Sequence, residues 1–235
     1  MEFHFMNNGL PADAFFADAD VENIYLPLLR TLQELHKKKG RRILVMLAAP
    51  PGAGKSTLAA FLMKLSKDCG IEPPTVIGMD GFHRYQDDLA SHFTVRDGKR
   101  IPLVKIKGAP ETFDLRKLSE RIRRVSSGEK CGWPLYDRRL HNPIEDAVTV
   151  DGEIVLLEGN YLLLDLPDWR ELSSYADVTI FIRADEDLLR QRLVRRQEQS
   201  GKSPEEAREF VERSDLANAR LVLSKSKKAD LEILL

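Results

Sequence analysis

Short apolar runs recur along the chain and are separated by amphipathic stretches. Residues 42–48 (RILVMLA), 75–79 (TVIGM), 153–157 (EIVLL), 177–182 (DVTIFI) and 229–235 (ADLEILL) read as buried strands. The segment 21–39 places Ile24, Leu28, Leu32 and Leu35 at helical spacing and ends in three lysines and Gly40, a cationic C-terminus with a glycine cap. Residues 57–67 carry Leu58, Phe61, Leu62 and Leu65 on one side of a second helix. Further helices are predicted over 115–125, after Asp114, and over 185–198 and 204–223. Strands alternating with helices imply an α/β fold: a mostly parallel five-stranded sheet with helices on both faces. Three regions give weaker signals. Residues 1–20 show no clear pattern. Residues 84–112 are polar and irregular, with Asp97-Gly98 as a hairpin turn between 93–95 and 101–106. Residues 126–150 read as loop-rich.

Between the first strand and the second helix lies LAAPPGAGKST, residues 47–57. This follows the phosphate-loop pattern G-x-x-x-x-G-K-[ST], with Ala49 at the first glycine position. Pro50, Pro51, Gly52 and Ala53 form the loop, and Gly54, Lys55, Ser56 and Thr57 open the helix. Phosphate oxygens need a curl of backbone N–H groups, and a glycine lets the chain come close. The helix N-terminus adds the positive end of its dipole. Lys55 supplies a mobile cation and Ser56 a hydroxyl for Mg²⁺. A small residue suffices at the strand exit, so alanine serves at position 49.

In parallel sheets ligands sit at the C-terminal strand ends. Besides the loop, Asp80 and Glu158 fall at such ends. Glu158 is placed to orient Mg²⁺ directly or through water, or else to cap the Gly159-Asn160 turn. Asp80 is placed to align an acceptor hydroxyl and take its proton, with Gly81 leaving room for the acceptor; Asp-Gly is equally a common turn pair. In LLRQRLVRR, residues 188–196, Arg192, Arg195 and Arg196 share a helix sector. They form a solvated face balanced by Glu186, Asp187 and Glu198, or a lid that closes over phosphates. The stretch WPLYDRRLHNP, residues 133–143, offers a tyrosine, arginines and a histidine between prolines, a suitable substrate wall.

Composition narrows the classes. Of 235 residues 43% are hydrophobic and the formal net charge is −1, which provides a large core and no general attraction to nucleic acid or anionic membranes. The two cysteines, Cys69 and Cys131, have no metal-ligand spacing. No signal-peptide pattern and no run of membrane-spanning length is present, so a cytoplasmic protein is expected. The guanine-reading Asn-Lys-x-Asp motif of GTPase switches is missing from the sequence.

These motifs together resemble the P-loop kinase superfamily containing uridine kinase, phosphoribulokinase and bacterial pantothenate kinase, from about residue 42 to the C-terminus. APPGAGKS matches its nucleotide site. MDGFHR resembles the segment whose aspartate is the family's catalytic base, which implies Asp80. KGAPETFD, residues 107–114, resembles a pantothenate-kinase segment. PLYDRRLH resembles a uridine-kinase stretch lining the acceptor site, which implies Tyr136 and His141. VLLEGNYLL resembles the family's strand-Glu-Gly segment, RADEDLLRQRLVRR its lid, and KKADLEI its closing segment. The combination is most similar to a branch labelled fructose-transport-system kinase or nucleoside/nucleotide kinase family proteins. His83 and Arg84 depart from the uridine-kinase residues after the aspartate, and residues 86–106 look inserted, so the acceptor need not be uridine.

The resemblance implies a P-loop NTPase fold with an arginine-bearing lid. It divides the chain into a helical extension packed on the core (1–40) and a kinase domain (41–235), with an inserted acceptor-side segment at 83–112 and a lid at 188–205. The implied cofactors are ATP and Mg²⁺. Residues 49–57 would bind ATP, Ser56 and Glu158 the metal, and Asp80, Lys55, Arg192 and Arg196 would act in catalysis. His83, Arg84, Tyr136, Arg139 and His141 would join Asp80 around a small-molecule acceptor bearing a hydroxyl. No nucleic-acid or membrane partner is expected, and a homodimer is left open. A nucleoside kinase and a P-loop ATPase acting as a switch or assembly factor are the alternatives.

Overall fold

The run Ile43–Ala48 is buried at every position, so alternate side chains must face two different apolar layers. They do so in the computed structural model, which describes residues 1–7, 10–96 and 98–235. Ile43, Val45 and Leu47 enter one core, while Leu44 and Met46 enter the other.

The chain begins with strands β1 (Glu2–Asn7) and β2 (Leu10–Phe15), then helix α1 (Leu26–Lys39), strand β3 (Ile43–Ala48), helix α2 (Lys55–Asp68) and strand β4 (Thr75–Gly78). It continues through helix α3 (Gln86–Ser91), strands β5 (Phe93–Arg96) and β6 (Lys99–Pro102), helix α4 (Leu115–Ser126) and strands β7 (Cys131–Asp137), β8 (Asn142–Val150) and β9 (Ile154–Gly159). Strand β10 (Val178–Arg183), helices α5 (Glu186–Gln199), α6 (Pro204–Phe210) and α7 (Leu216–Lys225), and strand β11 (Leu231–Leu234) complete it. Five strands form a parallel sheet in the order β11-β10-β3-β9-β4. One face is covered by Leu28, Leu29 and Leu32 of α1, the apolar side of α2, and Leu189 and Leu193 of α5. The other is covered by Leu118, Ile122 and Val125 of α4 and by Trp133 of β7. The expected five-stranded α/β architecture is therefore the observed one. Gly40 closes α1 in the left-handed region at φ 60°, where a side chain would be strained.

Three segments differ from the sequence reading. Residues 2–7 and 10–15 are not part of a helical extension: β1 and β2 pair antiparallel. A lone two-stranded hairpin is marginal in water, and its support here comes from distant residues. Phe3 packs edge-on to Phe61 of α2 at 5.5 Å, and Phe16, just past the hairpin, stacks on the same ring at 3.8 Å. The region 126–150 is not loop-rich; β7 and β8 form a hairpin. Its prolines hid it, since proline cannot donate to a ladder. Pro134 sits at a register shift between Trp133 and Leu135. The hairpin expected around Asp97-Gly98 is present as β5 and β6, with Asp97 itself outside the described residues. Its second strand starts earlier than expected and ends at Pro102, after which Leu103–Ile106 turns to bury Leu103. Among the described residues no helix is long and apolar enough to cross a membrane.

Asp177 fixes the N-terminal edge of this sheet. Its side chain is 5% exposed and receives Lys39 at 2.6 Å, Arg41 at 2.7 Å and the Leu44 amide at 2.9 Å. Burial pushes its carboxyl up, but Arg41, Lys39 and the Leu44 amide outweigh that and hold it below the usual aspartate value. A depressed folded-state pKa contributes stability that is present above the unfolded value of about 3.9 and is lost as the pH falls through the folded one. Asp177→Ala is expected to cost about 1–3 kcal/mol at neutral pH, because the Leu44 amide loses its partner. Thermal unfolding followed from pH 7 into the acid range checks this. The parent's advantage should shrink as the carboxyl protonates.

Candidate active site

Strand β3 leads into a loop that returns on itself through an Ala53 N–H to Pro50 carbonyl bond of 3.2 Å. Ala49 is fully buried, which explains why a small side chain suffices there. Gly52 and Gly54 have φ of 85° and 88°. A Cβ on Gly52 would lie 2.9 Å from Leu193 Cγ, so this glycine lets α5 close onto the loop. Helix α2 begins at Lys55, and the Leu58 amide bonds the Gly54 carbonyl at 2.9 Å. The amides of the first turn, at Lys55, Ser56 and Thr57, have no carbonyl one turn earlier to receive them. They and the helix dipole make the loop an anion cradle.

Glu158 ends β9, which lies between β3 and β4, so it is in register with Leu47 on one side and Gly78 on the other. Its Oε1 accepts a 2.9 Å bond from the Ser56 hydroxyl, and its Oε2 lies 3.8 Å from Lys55 Nζ. Oε2 is buried with no hydrogen-bond partner. The carboxylate thus turns into the site and does not cap the Gly159-Asn160 turn. Burial raises the Glu158 carboxyl above its ordinary value; Lys55 opposes this and the charge of Asp80 adds to it.

Asp80 lies in a tight turn, Met79–Phe82, that directly follows β4. Burial pushes its carboxyl up, but the positive charges of His83, Lys55, Arg138 and Arg196 prevail and hold it below the usual range. Burial lowers His83 itself, against the opposing pull of the Asp80 carboxylate. The His83 ring Nδ1 lies 2.8 Å from the Asp80 carbonyl, and a carbonyl can only accept, so Nδ1 carries the hydrogen. The same ring stands 4.0 Å from Phe113 and 5.0 Å from Tyr136, centroid to centroid. Gly81 does not make room for an acceptor: a Cβ there would meet the Pro134 carbonyl oxygen at 2.0 Å. Its missing side chain lets β7 press against the turn that carries Asp80.

The arginines of α5 divide by face. Arg190 belongs to a surface network with Glu186 and Glu212. Arg192 points Nη1 at the Ala53 carbonyl, 3.5 Å away, and Arg196 lies 3.4 Å from Asp215 while its charge is felt at Asp80. Arg195 is exposed.

The acceptor wall is assembled differently from the sequence reading. Tyr136 is beside His83, as described. Arg84 is engaged by Asp88, with Nη2 3.0 Å from Oδ1. It lines a cavity of about 470 Å³ with Phe113, Lys117 and Glu145. None of the loop residues lines that cavity, so it is distinct from the anion cradle. Arg139 and His141 occupy the exposed tip between β7 and β8, and both are felt at Asp137. His141 has a φ of 52° and uses its carbonyl to receive Lys107 at 2.7 Å. The neighbouring Arg138 acts at Asp80, His83, Tyr136 and Glu158. Sequence reading missed Arg138 and Lys107. Arg138 lies one residue past β7, in the turn, where strand alternation gives no signal.

Comparison with known proteins gives a consistent result. Residues 44–234 match the family described as Phosphoribulokinase / Uridine kinase family. The Escherichia coli (strain K12) protein YggC is 41% identical over 233 residues, covering 98% of this chain and 94% of that one. A Schizosaccharomyces pombe protein named "Putative uridine kinase C227.14" is 32% identical over 217 residues, covering 89% of each. The solved structure of a "putative fructose transport system kinase" from Silicibacter sp. TM1040 superposes with a TM-score of 0.74 at 33% identity, covering 86% of this chain and 98% of that one.

The contact at Gly81 yields a test. Gly81→Ala is expected to lower stability by about 2 kcal/mol or more, because the obstructing atom is backbone and cannot rotate away. Thermal unfolding reads this directly, and an unchanged midpoint would show that β7 does not press on the turn.

Proposed function

The chain belongs to the phosphoribulokinase/uridine kinase family, and from that premise we propose that it transfers the γ-phosphoryl group of ATP to a hydroxyl of a small metabolite. The observation that carries this reading is the meeting of Lys55, Ser56, Glu158 and Asp80 at the C-terminal ends of β3, β9 and β4.

The residues fit both cofactors. The curled loop and the free first-turn amides of α2 suit the phosphates of ATP. The Ser56 hydroxyl and the unpartnered Glu158 Oε2 suit Mg²⁺, which takes oxygen ligands and needs only one or two from protein when phosphates supply the rest. Among the described residues there is no group of three His, Cys, Asp or Glu that would hold a metal alone. When bound, ATP supplies the phosphoryl group and Mg²⁺ offsets charge on its phosphates.

Lys55 and the loop amides hold the outer phosphates. Asp80, kept ionised by its cationic neighbours, accepts a hydrogen bond from the acceptor hydroxyl and aligns it. As the new oxygen–phosphorus bond forms and the bond to the β-phosphate oxygen breaks, Asp80 takes the hydroxyl proton. Arg192 and Arg196 on α5 oppose the negative charge that spreads over the phosphoryl oxygens. His83 fixes the Asp80 backbone, and with Tyr136 it walls the acceptor. A nucleoside acceptor is a second reading, favoured by the paired rings of His83 and Tyr136, on which a base could stack.

Nucleosides, sugars, polyols and pantothenate incubated with ATP and Mg²⁺ test the reading, with ADP and phosphorylated product both measured. Acceptor-dependent product is expected, and ATP hydrolysis indifferent to every acceptor would contradict it. Asp80→Asn is expected to lower turnover by about 10²–10⁴-fold, the usual worth of a positioned base, with ATP affinity nearly unchanged. Lys55→Met should weaken ATP binding or turnover, and a variant normal in both would remove the loop from the mechanism.

A further inference from the structure

The acceptor side of the site holds two cations that no carboxylate neutralises among the described residues. Lys107 Nζ donates to Gln86 Oε1 at 2.8 Å and to the His141 carbonyl at 2.7 Å, and it stands 5.0 Å from the centroid of the Tyr136 ring. All three partners are neutral. Arg138, exposed in the turn that follows β7, has no ion-pair partner among the described residues, and its charge is felt at Asp80, His83, Tyr136 and Glu158. The adjacent carboxylate is turned to the backbone: Asp137 Oδ1 receives the amides of Arg139 and Leu140 and holds the turn. Three other cations packed near the same hairpin are matched: Arg84 reaches Asp88, Lys117 reaches Glu145, and Arg121 reaches Asp146, whereas Arg139 at its exposed tip has no ion pair among the described residues.

A half-buried ammonium bonded only to neutral groups is disfavoured, and burial accordingly lowers the Lys107 pKa. Tethering by Gln86 and His141 keeps its charge over the Tyr136 ring. That ring is 5.0 Å from His83, whose Nδ1 holds the Asp80 carbonyl. Asp80, His83, Tyr136 and Lys107 therefore form one continuous wall, with the base at one end and an uncompensated cation at the other. A neutral acceptor would leave Lys107 bonded only to neutral groups. An acceptor with a negative group beyond its hydroxyl would neutralise both Lys107 and Arg138 while its hydroxyl meets Asp80.

We propose that the physiological acceptor is a small hydroxylated anion, a carboxylate or a phosphate ester, whose negative group is seated by Lys107 and Arg138. This rests on the kinase reading above and goes beyond it by naming the charge of the acceptor and the residues that read it.

Matched pairs of probes test it: D-glycerate against glycerol, pantothenate against pantothenyl alcohol, and ribose 5-phosphate against ribose, with uridine as a further neutral compound. Binding is measured by calorimetry with Mg²⁺ and a non-hydrolysable ATP analogue, and kcat/KM with ATP. Preference for at least one acidic member over its neutral counterpart is expected, and the pair that shows it separates carboxylate from phosphate. Arg138→Gln and Lys107→Met should each reduce that ratio by about tenfold or more, the worth of a charge-assisted hydrogen bond. Lys107→Arg should restore part of it, which a purely structural lysine would not require. The KM for ATP should stay near the parent's. If nothing is phosphorylated, the kinase reading fails, and the binding arm still decides this one. Equal binding of acidic and neutral members would overturn it. So would failure of every probe to bind, or a loss in Arg138→Gln confined to the KM for ATP.

Discussion

The hydrogen bond from the Ser56 hydroxyl to the Glu158 carboxylate ties the site to the sheet. It joins the first turn of α2 to the end of β9, residues 102 positions apart in sequence. The bond is available because β9 runs between β3 and β4. That strand order carries Glu158 to the level of Leu47, just before the loop, and of Gly78, just before Asp80. Even Gly78 serves this contact, since a Cβ there would sit 3.2 Å from Glu158 Oε1 and crowd it.

From that junction follows the electrostatic arrangement. Two acidic side chains share one strand-end region, and their surroundings move them in opposite directions. Burial raises Glu158, whereas a set of cations lowers Asp80. Environments that split a pair of carboxyls assign them different work. Asp80 is the carboxyl held toward its ionised form. Glu158, with one buried oxygen left unpartnered, is the group that gains most from a cation. Helix α5 contributes by contact as well as charge: Leu193 rests on Gly52, and this brings Arg192 to the loop.

Much of this was legible in the sequence, for identifiable reasons. The central strands β3 and β9 are continuous buried apolar runs, whereas β4 and β11 at the sheet's edges are only partly buried, and helix spacing marks α1, α2 and α4 without help from tertiary contacts. Asp114 caps α4 by accepting the Lys117 amide, as its position before the helix implied. The phosphate loop is a local motif whose glycines and lysine are read in order. What escaped detection depends on long-range packing. The β1–β2 hairpin leans on Phe61, a residue of α2. The β7–β8 hairpin hides behind Pro134 and Pro143 and is recognised only once Trp133 is seen to fill the core beneath it and to donate to the Gly78 carbonyl at 2.8 Å. Missing that hairpin had a direct consequence at the site. The stretch around residues 136–141 supplied plausible side chains, but only the strand pairing shows that Tyr136 lies within β7 while Arg139 and His141 occupy the exposed turn beyond it. The interpretation of Gly81 failed similarly, because the carbonyl that excludes a side chain there belongs to Pro134.

A crystal structure with Mg²⁺ and a non-hydrolysable ATP analogue is the most direct measurement of the central claim. The expected result is a terminal phosphate in the cradle of residues 49–57, the metal on Ser56 and on Glu158 directly or through one water, and the Asp80 carboxylate facing that phosphate across a gap wide enough for a hydroxyl. A nucleotide whose phosphates lie outside the loop, or an Asp80 carboxylate turned away from the terminal phosphate, would contradict it.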